Sequence, residues 1–292
     1  MIDRARSRLT FLLFFALSAC SGPAFLSGVD RIAGGGNGVS RVAEGVVYGD
    51  HGQRLDVYAP RAAMEGGEAL PVIIFVHGGS WENGSRGGYA FAGRGLARLG
   101  AVAVVIDYRK LPDHRFPDFV VDTAEAVAWT SANAGQYGGD AKRVFLAGHS
   151  AGAHIAMLAA LDPRYLAEAG AAPDALTGVI GISGPYDFYP FTVDSARRAF
   201  AGADPETTQP INYARGDAPP ILLLHGEADE VVLPRNSIDL ARAIEAAGGE
   251  ATLRLYPGLG HAEAITALTP LFDGKADIKG AIAVFLADHP RR

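Results

Sequence analysis

Residues 143–152 read Arg143-Val144-Phe145-Leu146-Ala147-Gly148-His149-Ser150-Ala151-Gly152. The apolar run 143–147 predicts a strand, the Gly-x-Ser-x-Gly pentapeptide a sharp turn, and residues 151–160 a helix. That succession lifts a serine hydroxyl clear of the strand end, and the small residues on both sides let strand and helix pack closely. Ser150 is therefore the candidate nucleophile. The Ala151 N–H, at the helix N-terminus, can face a developing oxyanion. A Gly-rich turn can also hold a serine by chance, so the pentapeptide is weighed with what surrounds it.

Upstream, the continuous apolar run 71–76 predicts a strand buried on both faces. It runs directly into His77-Gly78-Gly79-Ser80-Trp81. Adjacent glycines let backbone N–H groups turn towards a ligand with no side chain in the way, as a tetrahedral oxyanion requires. Gly79 and Ser80 are the leading donors, with Gly78 a third. Trp81 either walls an acyl pocket or belongs to the core. Residues 88–99 predict a helix and 101–106 another buried strand, which ends in the polar, proline-punctuated loop 107–117. Asp107, Arg109 and His114 in that loop read as scaffold ion pairs rather than catalytic groups. Residues 46–48 and 55–58 form an edge hairpin.

Downstream, residues 176–183 and 220–224 predict strands joined by an irregular excursion. Its Tyr186, Phe188, Tyr189 and Phe191 line a pocket or form a small core of their own. After residue 224 comes His225-Gly226-Glu227-Ala228-Asp229-Glu230, then a helix at 235–247, a strand at 252–256, and Pro257-Gly258-Leu259-Gly260-His261. Ser150, an acidic loop and His261 thus follow the chain order of a nucleophile elbow and its partners. Each falls on a loop directly after a strand, the edge of an open α/β sheet where sites form. An imidazole can take the serine proton and return it to a leaving group, while a carboxylate holds its tautomer. Among Glu227, Asp229 and Glu230, the aspartate loses the least rotamer freedom in a fixed contact.

The motifs HGGSW, DYRKLPDHRFP and GHSAG, in this order and spacing, resemble those of the α/β-hydrolase carboxylesterases. The hormone-sensitive-lipase-like and bacterial feruloyl-esterase-like branch is nearest, and the resemblance covers roughly residues 44–289. It implies an α/β-hydrolase fold, with a mostly parallel central sheet and helices on both faces. It also implies a triad of Ser150, Asp229 and His261, the acid coming from the family's HG-x-x-D pattern at 225–229. The oxyanion hole would use Gly78, Gly79, Ser80 and Ala151, and the substrate pocket Trp81, Tyr186 and Phe188. Ser80 departs from the HGGG of lipase-like members, and no long cap segment precedes the hairpin, so a small or absent cap is implied. The activity expected is hydrolysis of small or short-chain acyl esters through an acyl-enzyme, with no cofactor. The alternatives are an amidase or formamidase on the same triad, or a non-catalytic binding module.

Composition narrows the field. The chain has 292 residues, 49% hydrophobic and 20% charged, with a formal net charge of −6. That balance is globular and opposes nucleic-acid binding, since no basic run could neutralise phosphates. Cys20 is the only cysteine and the histidines are scattered, so no metal-ligand spacing occurs. Arg4, Arg6 and Arg8 precede the apolar stretch 9–19, which is far shorter than the ~20 residues that cross a bilayer. Residues 1–20 read as a signal peptide. Leu17-Ser18-Ala19-Cys20 resembles a bacterial lipobox, which implies lipidation of Cys20, and Ser21 after it implies outer-membrane sorting. The expected organisation is a lipoprotein signal at 1–20, a flexible tether at 21–43 and a catalytic domain at 44–292. The protein would be exported to the bacterial cell envelope and face the periplasm.

Overall fold

The computed structural model describes residues 22–272 and 274–290; the signal peptide expected at 1–20 and the lipidation expected at Cys20 lie outside the described residues. In chain order, α1 (Gly22–Ile32) precedes the hairpin β1 (Val39–Val47) and β2 (Arg54–Pro60), followed by β3 (Leu70–Val76). Next come α2 (Ala90–Ala97), β4 (Val102–Ile106), α3 (Asp118–Asn133), β5 (Gly139–His149), α4 (Ala151–Leu161) and α5 (Pro163–Glu168). The chain continues with β6 (Gly178–Ile182), α6 (Asp194–Ala199), β7 (Ile221–Gly226), α7 (Arg235–Ala246) and β8 (Ala251–Tyr256). It ends in α8 (His261–Thr266) and α9 (Ile278–Asp288).

The eight strands form one sheet in the order β1-β2-β4-β3-β5-β6-β7-β8. β2 is antiparallel to both neighbours, and β3 to β8 are mutually parallel. The Val- and Ile-rich runs of β3 and β4 are buried throughout their cores, as strands covered on both faces must be. Val72, Ile74 and Val76 point to one layer, with Phe119 and Val127 of α3, Ile155 of α4 and Leu240 of α7. Ile73 and Phe75 point to the other, with Phe91 of α2, Ile265 of α8 and Phe285 of α9. α4 is buried at every residue, which explains why its sequence is apolar all round.

The chain turns from β3 to β4 on one side and to β5 on the other, so the carboxyl ends of β3 and β5 lie together, with Val76 opposite Gly148. The HGGSW turn and the GHSAG elbow therefore leave adjacent strands at the same sheet edge, at the switch point where α/β sheets bind ligands.

The N-terminal part differs from the tether expected at 21–43, and the folded unit starts well before residue 44. Over its described part this stretch is α1, a Gly-rich turn and the first half of β1. Leu26 is buried in the core layer of α2. The Ser27 hydroxyl donates to Gly88 O at 2.8 Å and accepts from Phe91 N at 3.1 Å, and Arg94 pairs with Asp30 at 2.7 Å. Eleven residues with a central glycine are marginal as an isolated helix, so these contacts to residues 88–94 hold it. They are invisible to local periodicity.

Candidate active site

The elbow is built by force of geometry. Ser150 sits at φ 56° and ψ −125°, between the end of β5 and the first turn of α4. That backbone is costly for a residue with a side chain and persists where the surroundings over-determine it. Here the Ser150 N–H donates to Ile182 O of β6 at 2.9 Å. Gly152 is required: a Cβ there would lie 2.2 Å from Val76 O and 2.5 Å from His77 O. α4 can thus start directly beneath the HGGSW turn.

His261 opens α8, whose first turn is fixed by the Glu263 carboxylate accepting from Gly260 N at 3.0 Å. His261 Nε2 is 2.9 Å from Ser150 Oγ, and its Nδ1 is 2.8 Å from Asp229 Oδ2. A carboxylate only accepts, so Nδ1 carries the proton and Nε2 presents its lone pair to the serine hydroxyl. The other Asp229 oxygen accepts from Val231 N at 3.0 Å and Val232 N at 2.9 Å. Burial alone would push the Asp229 carboxyl up, but hydrogen bonds from His225, His261 and the Val232 N–H, with the nearby His261 charge, hold it well below the usual carboxylate range. His225 is itself fixed between Ser237 Oγ at 2.7 Å and Val232 O at 2.8 Å, a supporting rather than a reacting position.

The oxyanion side is equally ordered. Gly79 has φ +130° and Ser80 φ 56°, so the turn exposes successive N–H groups. Gly79 and Ser80 N–H find no acceptor among the described residues, and the Ala151 N–H, first in its helix, has none within it. His77 is completely buried, and its Nδ1–H donates to Gly78 O at 2.8 Å. Desolvation, with Lys110 adding to it, lowers its pKa to about 3, so it stays a neutral brace for the turn. Its ring stacks on Tyr108, whose hydroxyl donates to His77 O at 2.9 Å.

Ser150 and His261 open into a cavity of about 250 Å³. Its walls include Gly79 and Ser80 on one side, Tyr89 and Phe91 of the α2 region on another, and Val231 and Ile265 beyond. Pro23 and Leu26 of α1 also line it.

The BD-FAE family model matches residues 55–244. The chain belongs to the BD-FAE family. It is 37% identical over 245 residues to the Mycobacterium tuberculosis protein Esterase LipC, covering 74% of this chain and 58% of that one. It is 29% identical over 261 residues to an isoprenylcysteine alpha-carbonyl methylesterase of Arabidopsis thaliana, covering 82% of this chain and 60% of that one. The chain thus spans about three fifths of the length of the curated relatives it matches. A hyperthermophilic esterase from the archaeon Pyrobaculum calidifontis shares the fold at TM-score 0.71 and 23% identity, over 96% of this chain and 97% of that one. A truncated carbohydrate esterase from gut microbiota does so at TM-score 0.72 and 23% identity, over 87% and 97%. The BD-FAE match begins at β2 and ends in α7, so α1, β1, β8 and the His261 loop lie outside it.

In this BD-FAE chain the residues expected at the centre converge: Ser150, Asp229 and His261 in one hydrogen-bonded line, with Gly78, Gly79, Ser80 and Ala151 around the serine. The expected pocket residues do not line this cavity. Trp81 is buried, donates its Nε1–H to His154 Nδ1 at 3.3 Å and stacks on Phe188 at 5.7 Å between ring centroids. Tyr186 is buried beneath Gly181 and Gly184. These aromatics form the core of the 184–219 excursion with Phe200, because that irregular segment needs an apolar centre of its own. The loop 107–117 is scaffold, as its polar residues predict: Arg109 binds Asp122 at 2.6 Å, Asp107 pairs with Arg86, and His114 meets Asp118 at 3.0 Å. The cavity residues that sequence reasoning missed include Pro23, Leu26, Tyr89, Phe91, Val231 and Ile265. Only the aromatic pair Tyr89 and Phe91, close after HGGSW, carried a local hint.

Proposed function

We propose that this protein is a serine carboxylic-ester hydrolase acting on small or short-chain acyl esters. The observation that carries the reading is the unbroken line from Asp229 through His261 to Ser150 Oγ, set beside free N–H groups. In the reaction, His261 Nε2 takes the Ser150 proton as Oγ attacks the ester carbonyl, and the oxyanion receives the Gly79, Ser80 and Ala151 N–H groups. The imidazolium, stabilised by ionised Asp229, then protonates the departing alcohol and leaves an acyl-Ser150. A water activated by the same His261 releases the acid. The small cavity supports short acyl groups, being below the ~300–1,000 Å³ usual for drug-sized ligands.

The sequence of residues 1–21 adds an envelope setting to this proposal: export through the Arg-flanked leader, lipid on Cys20, and a catalytic domain held at the membrane on the periplasmic side, in the outer membrane by the Ser21 criterion. Mass spectrometry of the mature N-terminus tests that part; an unmodified terminus starting elsewhere removes the anchor.

Activity is tested with Ser150→Ala on a chromogenic acyl series, from acetyl to decanoyl, alongside matched anilides. Loss of three or more decades with residual oxyanion-hole catalysis is expected for the triad serine. Wild-type activity in the variant would refute the assignment, and anilides cleaved faster than esters would move the reading to an amidase.

A further inference from the structure

Beside α1, and sharing no lining residue with the cavity at Ser150, lies a cleft of about 640 Å³. Ser27 and Arg31 of α1, Arg41 of β1, Tyr58 of β2, Arg61 and Arg94 line it. Four guanidiniums in one cleft stand against a chain whose net charge is −6. The carboxylates nearby do not balance them. Asp30 pairs with Arg94 at 2.7 Å, and Arg41 reaches Glu44 at 2.7 Å and Asp56 at 3.5 Å. Arg31 and Arg61 have no carboxylate partner among the described residues.

A second, independent feature is the Tyr58 hydroxyl. Tyr58 is 2% exposed, and its hydroxyl proton finds no acceptor among the described residues. Its ring is pressed on α2, where a Cβ at Gly93 would come within 2.5 Å of it. Its charged neighbours are Asp56, Arg94 and Arg41, and the Arg41 guanidinium donates towards the phenolic oxygen. A guanidinium can only donate, so neither arginine can accept the phenolic proton. A buried donor without an acceptor costs roughly 1–3 kcal/mol and marks a position where an acceptor is missing.

We propose that the cleft between α1, β1 and α2 binds a phosphate group. Guanidinium forks match phosphate oxygens in bidentate fashion, and a phosphate dianion supplies both the charge that Arg31 and Arg61 lack and the acceptor that Tyr58 lacks. Bound there, it ties α1, through Arg31, to the strand ends that carry Arg41 and Arg61. The phosphate comes either from a small soluble molecule or from a phospholipid headgroup. The site does not depend on the esterase reading.

The test uses the full chain and two probes: inorganic phosphate against chloride at equal ionic strength, and phosphatidylcholine vesicles with and without phosphatidic acid. Binding is read by calorimetry for phosphate, by flotation for vesicles, and for both by protection of the α1 amides from hydrogen exchange. Saturable binding of inorganic phosphate that protects residues 22–32 supports a soluble ligand. Binding confined to phosphatidic acid vesicles, with the same protection, supports a headgroup. The paired Arg31→Gln and Arg61→Gln substitutions should weaken either interaction about a hundredfold. Tyr58→Phe should weaken it about tenfold while keeping or raising thermal stability without phosphate, because the unsatisfied donor is gone. No binding beyond chloride and phosphatidylcholine, or unchanged binding in Tyr58→Phe and the arginine pair, overturns the proposal.

Discussion

His149 and His261 are joined by a side-chain-to-backbone hydrogen bond: His149 Nε2–H donates to the His261 carbonyl across 3.2 Å, with ring centroids 4.9 Å apart. Desolvation, and then the His261 charge, lower the His149 pKa to about 3, so it is a neutral donor throughout the working range. The residue before the nucleophile therefore pins the loop that carries the base. His149→Ala is expected to lower kcat by ~10-fold with little change in KM, since a loosened base misplaces the reacting atoms. His149→Gln, which keeps a donor, should recover most of the loss. Equal kcat in Ala and Gln variants would mean that the bond does not position His261.

The acidic loop offers three carboxylates, of which Asp229 alone is buried and faces His261. Asp229→Asn should lower kcat by about 10⁴-fold, because the imidazole loses the partner that fixes its tautomer. Glu227→Gln and Glu230→Gln, both exposed, should stay within about twofold of wild type. Measuring kcat for all three on one short-chain ester decides it; a crippled Glu227→Gln beside a normal Asp229→Asn would reassign the acid.

Gly152→Ala tests the close approach under the elbow. A Cβ 2.2 Å from Val76 O has only backbone to displace, so the strand or helix must move. Overpacking typically costs about 1–3 kcal/mol, and backbone on the far side puts this case at or above the upper end. Urea unfolding should show a clear fall in midpoint together with lost activity; an unchanged midpoint would contradict the geometry.

Acid stability follows from three buried neutral histidines. Burial lowers His77 to about 3, His149 to about 3 and His154 to about 4. In the unfolded chain each takes a proton near pH 6.5. Between pH 6.5 and about 4 the unfolded state binds more protons, so stability falls as pH falls across that window, with a slope of up to three protons. Asp229, held low, loses its contribution only further down, as its own folded-state pKa is approached. Thermal midpoints measured from pH 7.5 to 4.5 should decline below about 6.5; a flat profile would show that these histidines are not neutral in the fold. His154→Gln should flatten the profile by about one proton.

Leu26 of α1 lines the cavity into which Ser150 and His261 open. Leu26→Ala should shift the preferred acyl chain to greater length and cost about 2–3 kcal/mol of stability as a buried truncation. An unaltered chain-length profile would place acyl binding elsewhere.

The catalytic line was legible because each member lies just past a strand whose apolar run is unmistakable: β5 for Ser150, β7 for Asp229, β8 for His261. Fixed backbone tasks, such as the glycines at 79 and 152, also show in sequence. What was not legible depends on contacts far along the chain. α1 is held by residues 88–94, some sixty positions away, and its own amphipathic pattern runs for only eleven residues with Gly22 and Gly28 among them. The aromatics 186–191 are equally consistent with a pocket and with a local core, and only packing against Phe200 separates the two. His149 adjoins the serine in sequence, yet its hydrogen-bond partner is 112 residues on.

Among the described helices α1 is made first, and part of the cavity it lines is made last. Leu26 shares the catalytic cavity with His261 and Ile265, residues that leave the ribosome about 240 positions later. At ~5–20 residues per second, that separation is roughly ten to fifty seconds of synthesis during which α1 has no complete cavity to line. Ser150, Asp229, His261 and the cavity wall come together only when the final quarter of the polypeptide exists, so shorter nascent chains lack the assembled hydrogen-bonded line.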